Sequence, residues 1–127
     1  MKIRRIEPPR SFRAGINQIE IRDCAHIELD ADEQVTFKTP QGGQFDVARK
    51  SWGFYATPSL DGRLPSFGLR PALVRNCQQK HYVLLCEKGC QTDWEAYLRD
   101  EQLTVVGWLD DPATLQQIHE ALTGTTR

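Results

Sequence analysis

Apolar and polar residues alternate through much of the first two thirds of the chain, and a longer period takes over in the last third. Ile19 and Ile21 alternate with Glu20 and Arg22, and His26-Ile27-Glu28-Leu29 repeats the pattern. A period of two is that of a strand with one covered face. Val35 and Phe37, then T-P-Q-G-G, then Phe45 and Val47 predict a β-hairpin with its four large side chains on one face. Residues 52–57, W-G-F-Y-A-T, are strand-like. In residues 57–68, two prolines and two glycines interrupt the pattern. There Asp61-Gly62 fits a two-residue hairpin turn, and the alternative is one long ordered loop. Residues 69–76 and 81–88 make the best strand pair, and the continuous run Val83-Leu84-Leu85-Cys86 predicts a central strand buried on both faces. Residues 1–15 contain Pro8, Pro9 and Gly15, show no clear period, and read as an arm or edge strand.

The last third switches to helical spacing. Thr92 and Glu95 have the spacing of a capping box, and Trp94, Tyr97 and Leu98 fall on one helix face that ends near Glu101. Leu103 to Leu109 reads as a strand. Asp111 is placed to cap a final helix with Pro112 at its first position, Leu115, Ile118 and Leu122 as its stripe and Gly124 as its stop. The expectation is a single α+β domain over residues 1–127: the arm at 1–15, a β-rich part at 16–90 and helix-strand-helix at 91–127. Its sheet is mainly antiparallel and curled, able to roll toward a barrel, with two C-terminal helices packed on it.

Length and composition narrow the function classes. A chain of 127 residues buries about two thirds of its unfolded surface, enough for a core without staples. No window approaches the ~20 apolar residues of a membrane helix, and the N-terminal M-K-I-R-R-I-E-P-P-R lacks the apolar stretch of a secretory signal. A cytoplasmic protein whose four cysteines are thiols is therefore expected. The net charge of −1 argues against a general nucleic-acid binder. It conceals blocks, however: +4 over residues 1–13, −5 over 14–46, +5 over 47–86 and −5 over 87–127. Such blocks either form opposed surface patches or neutralise one another when the fold interleaves them.

The positive block contains the most unusual segment, K-S-W-G-F-Y-A-T-P-S-L-D-G-R-L from Lys50 to Leu64. Alternation sets Trp52 and Phe54 on one face and Tyr55 on the other, around Gly53. With Arg49, Lys50 and Arg63 beside them, these aromatics can stack a planar group while the cations meet an anion. The competing reading makes Trp52 and Phe54 core residues and Gly53 a bulge. The string resembles the marker W-G-F-Y-A-T-P-S-x-x-G-R-L of an uncharacterised family of small bacterial proteins. It matches at Trp52 to Ser59 and Gly62 to Leu64, then through Leu84, Leu85 and Glu87, and at its widest covers Val35 to Leu109. That family has no established activity, so the resemblance implies no catalytic residue.

Chemical motifs are few. Cys24-x-His26, Cys77-x-x-x-His81 and Cys86-x-x-x-Cys90 all lack the C-x-x-C knuckle, so neither metal nor cofactor is expected. W-G-F-Y is loosely similar to the aromatic strands of cold-shock and RNA-recognition domains, but no second aromatic strand accompanies it. His81 and Glu87 share a face of one strand about 20 Å apart, too far for a catalytic dyad. The leading expectation is a non-enzymatic binding or accessory module. It holds an acidic protein partner or an anionic small molecule with Arg49, Lys50, Trp52, Tyr55, Asp61, Arg63, Phe67, Arg70 and His81. The alternative is a small carbohydrate- or nucleotide-sugar-modifying enzyme with His81 or His26 as general base. Self-association through a sheet edge is a third expectation.

Overall fold

Residues 1–125 are described in the computed structural model. The first elements are two long antiparallel strands, β1 (Lys2–Ala14) and β2 (Ile19–Glu28), which pair only with each other among the described residues. The segment read as an arm is thus one strand of a two-stranded ribbon. Its register shifts between Arg5 and Arg10, where Pro8 and Pro9 withhold the N–H groups a ladder needs.

The predicted hairpin is present as β3 (Gln34–Lys38) and β4 (Gln44–Lys50), with Val35 opposite Val47 and Phe37 opposite Phe45. The two phenylalanine rings stack with centroids 5.3 Å apart. A short third strand, β5 (Gly53–Tyr55), returns along β4 after a two-residue turn of Ser51 and Trp52. Residues 57–68 are an ordered loop carrying a one-turn helix, α1 (Arg63–Ser66), and not a hairpin.

The third sheet runs in the order β7-β6-β8, from β6 (Leu69–Arg75), β7 (His81–Glu87) and β8 (Thr104–Trp108). This overturns one expectation: Val83–Cys86 lies on an edge strand, with Val83 exposed, and the Pro-containing β6 is central. Pro71 is compatible with that position because the β6–β8 ladder ends at Ala72–Trp108, so the N–H it lacks is not needed by a β8 pair, while its carbonyl still accepts from Leu109 N–H at 2.8 Å. Leu69, Pro71, Ala72 and Val74 of β6 are all buried, and with Leu64 and Cys86 they make the core.

Helix α2 (Gln91–Asp100) joins β7 to β8, and α3 (Pro112–Thr123) closes the described chain. Asp111 caps α3 by accepting from Ala113 N–H, Pro112 opens it, and Gly124 ends it in the left-handed conformation. The capping box at Thr92 does not form: α2 begins two residues earlier than that cap would set it, with Cys90 as its cap, which makes no side-chain cap bond. Trp94 of α2 reaches Trp108 of β8, ring centroids 5.6 Å apart. The stripe of α3 stops short, since Leu122 is exposed. The molecule is α+β with antiparallel pairing and C-terminal helices. Among the described residues the strands divide among three open sheets, and none closes into a barrel. No helix among the described residues is long and apolar enough to cross a membrane.

Candidate functional site

The segment Lys50–Leu64 divides into two halves with different physical roles. In the second half nearly every residue has a folding task. Ser59 Oγ accepts from Arg63 N–H at 2.8 Å, and its carbonyl accepts from the N–H groups of Gly62 and Leu64. A Cβ on Gly62 would lie 2.6 Å from Ser59 Oγ, so the turn needs glycine there. Pro58 is buried and Leu64 is wholly buried. The loop is tied to both neighbouring sheets: Gln44 N–H donates to Phe67 carbonyl, Lys88 N–H to Gly68 carbonyl, and Lys88 Nζ to Pro65 carbonyl.

The first half has no such task. Trp52 at the turn tip is 70% exposed, Phe54 57% and Tyr55 58%. The reading of Trp52 and Phe54 as core residues is therefore overturned. The two-residue turn is too tight to fold back on the sheet, and Gly53 at φ +146 permits it. Alternation of β5 sends Phe54 to the same side as Arg49, Val47 and Val35, and Tyr55 to the same side as Ala48 and Gln34.

On the Tyr55 side lies a shallow cavity of about 280 Å³ lined by Gln34, Asp46, Ala48, Lys50, Tyr55, Pro58, Ser59 and Arg63. Lys50, Tyr55 and Arg63 are thus brought together. Both cations are already partnered: Lys50 Nζ with Asp32, and Arg63 Nη2 with Asp46 at 2.8 Å. Arg63 also stands over the Phe67 ring, 5.6 Å from its centroid. Among the described residues, the only carboxylate lining the cavity is Asp46, and no histidine lines it.

The other proposed site residues lie apart. Arg70 is on β6, where Nε and Nη2 donate to the two Asp110 oxygens at 2.8 and 3.1 Å. Its guanidinium lies 4.1 Å from the Trp108 ring centroid. The bond to Asp110 raises the Arg70 pKa further above its ordinary value. His81 opens β7, opposite Arg75 and at the far end from Glu87. Asp61 is exposed in the loop, between Ser59 and α1. Arg49 sits opposite Phe54 and makes no ion pair among the described residues. Among the described residues, Lys50, Arg63 and Arg70 are each met by an acid from another block of the chain.

Two carboxylates that the sequence reading considered only as a dyad candidate (Glu87) and a helix end (Glu101) tie separate parts of the fold together. Glu87 accepts from Gly43 N–H at 3.0 Å and from the Thr39 hydroxyl, which fastens the β3–β4 turn to the third sheet. Glu101 is buried and accepts from Ile16 N–H, Asn17 N–H and Asn17 Nδ2. Neither contact has a local signal, because the partners are 44 or more residues away. Burial pushes the Cys86 thiol up, and nearby Cys90 adds to the shift, so Cys86 serves as a small apolar core residue. No family model, curated protein or solved structure matches the chain.

Proposed function

We propose that the protein is a non-enzymatic binding module that captures an acidic protein partner on the β4–β5 hairpin. Trp52 and Phe54 anchor the partner, and Arg49 supplies the cation. The observation that carries this reading is the exposure of three adjacent aromatics on a hairpin whose following loop is fully built into the fold. Tryptophan, tyrosine and arginine are the residue types that dominate binding energy at interfaces, where they fill pockets on the partner. Burying one such ring contributes about 2 to 3 kcal/mol. Arg49, beside Phe54 and without an ion pair among the described residues, favours a carboxylate on the partner.

A small anion is less well served by the cavity at Tyr55, because Asp32 and Asp46 neutralise the two cations there. Catalysis by a histidine base on a sugar has less support still, since the cavity at Arg63 offers one carboxylate and no histidine. The test is comparative capture by wild type, Trp52→Ala and Arg49→Glu, followed by calorimetry with the purified partner. A partner kept by wild type and lost by both variants, each with wild-type circular dichroism, supports the reading. Equal retention by all three removes it. Thermal-shift scans against inorganic phosphate and a nucleoside diphosphate sugar test the small-anion reading separately.

A further inference from the structure

Strand β7 is an edge of the third sheet, and its backbone groups sort by direction. Asn76 N–H donates to the Lys80 carbonyl at 2.9 Å at one end of the β6–β7 ladder, and Lys88 N–H donates to the Gly68 carbonyl at 2.9 Å at the other. Bonded and non-bonded pairs alternate along an antiparallel ladder. Between those ends the bonded pairs are therefore Val74/Tyr82, Ala72/Leu84 and Arg70/Cys86. Pro71, which has no N–H, falls on the non-bonded pair with Leu85. The N–H and carbonyl groups of His81, Val83 and Leu85 thus point away from β6. Among the described residues no other strand pairs with β7, and no group bonds to theirs.

The opposite edge of this sheet is blunted, and β7 is not. β8 has five residues and a bulge at Val106, where its register with β6 shifts. β7 keeps an unbroken register with β6 over seven residues. From Tyr82 to Cys86 it carries no charge, proline or glycine, and Tyr82 and Val83 are exposed. Bulges, charges and prolines keep an edge from pairing, and an edge without them is a template for another strand.

We propose that β7 pairs antiparallel with β7 of a second copy, joining the two three-stranded sheets into one across a two-fold axis. The free groups favour that partner. His81, Val83 and Leu85 are spaced symmetrically about Val83. An axis there makes bonded pairs of Val83 with Val83 and, on either side, of His81 with Leu85. Each copy thereby satisfies the free groups of the other. The same axis sets Tyr82 against Leu84 of the second copy, twice, as an aromatic–aliphatic pair at a non-bonded site where side chains come closest. No like charges face each other. One antiparallel neighbour uses up the edge, so the assembly closes at two. The chain has surface to spare for such a contact: it exposes 9131 Å², whereas a compact monomer of 14.5 kDa exposes about 6,900 Å².

Sedimentation velocity and amide exchange of the full chain test the proposal. A species of twice 14.5 kDa is expected, its fraction growing with concentration. As it forms, exchange at the Val83 and Leu85 amides should slow about tenfold or more, whereas Tyr82 and Leu84, already bonded to β6, stay protected throughout. That readout needs no variant. Val83→Pro removes only an N–H that points away from β6, where an edge strand accepts proline, and should leave a folded monomer. Val83→Thr should keep the dimer. A wild type that stays monomeric at every concentration, its edge left open for an extended segment of another protein, overturns the proposal. So does a dimer that survives Val83→Pro, or one in which the Val83 and Leu85 amides exchange as fast as in the monomer.

Discussion

The Glu101 carboxylate grips Asn17: its Oε2 accepts from the Asn17 backbone N–H and from Asn17 Nδ2, each at 3.0 Å. Its other oxygen accepts from Ile16 N–H at 3.1 Å. A buried carboxylate needs several donors to offset its lost hydration, and the turn at residues 15–18 provides them. Glu101 thereby links the end of α2 to the far end of the ribbon.

Glu101→Gln presents an amide where three donors converge, so at least one is left unmatched. The expected loss is about 1 to 3 kcal/mol. It is read as a lower thermal midpoint together with faster amide exchange at Ile16 and Asn17. Gly15→Ala should be worse, because a Cβ there would sit 1.7 Å from Glu101 Oε1 on a backbone at φ +77. Unchanged exchange at both amides in Glu101→Gln would show that the carboxylate does not hold the turn.

Local signals in the sequence were reliable where the chain satisfies itself over short distances. Asp111, Pro112 and Gly124 delimit α3 as read, and alternation locates the β3–β4 hairpin with its stacked phenylalanines. What depends on distant partners was not legible. The apolar run at Val83–Cys86 lies on an edge because β6 takes β8 on its other side, and nothing near Pro71 announces that Leu109 will donate to its carbonyl. Of the candidate site, the aromatic segment was visible as a string. The division into an exposed first half and a structural second half was not, because it depends on Ser59, Gly62 and Arg63 closing a loop against Asp46. The same holds for charge: blocks are countable in sequence, but their cancellation through Lys50–Asp32, Arg63–Asp46 and Arg70–Asp110 needs the fold.

Arg70 and Asp110 are coupled by a two-pronged bond, and Asp110 is mostly buried. Removing one partner of such a pair leaves the other without compensation, so Arg70→Met should cost about 3 kcal/mol. Arg70→Lys should fall between it and wild type, since lysine keeps the charge but loses the fork and the flat stacking on Trp108. Arg70→Met/Asp110→Leu should recover much of the loss. Urea melts of the four proteins check this, and a double variant no better than Arg70→Met would count against the coupling.

The base of the ribbon should respond to pH at both ends of the range. The Asp30 N–H and the Met1 ammonium hold the Glu33 carboxyl below its ordinary value. Glu33 in turn raises the Met1 ammonium above its own. A lowered carboxyl stabilises the fold above the unfolded value of about 4 and loses that contribution as pH falls through the folded value. A raised ammonium stabilises below about 8 and loses its contribution as pH rises through the folded value. Two titration steps are therefore expected in the Asp30 amide resonance, one acidic and one alkaline. Acetylating the N-terminus should erase the alkaline step, and a surviving alkaline step would break the assignment.

Leu64 and Trp52 should separate folding from binding within a single segment. Leu64 is wholly buried beneath the loop, so Leu64→Ala removes apolar contacts and leaves a cavity, costing about 2 to 5 kcal/mol. Trp52 is 70% exposed at a turn tip, and Trp52→Ala should change stability by no more than about 0.5 kcal/mol. If the hairpin is the capture surface, binding reverses the order. Trp52→Ala abolishes capture at full stability, whereas Leu64→Ala retains capture in proportion to the folded fraction. Denaturant melts and calorimetry on the same preparations give both numbers. A Trp52→Ala protein that melts several degrees lower would mean that the tryptophan is covered in solution, placing the ring inside an assembly instead of at a free capture surface.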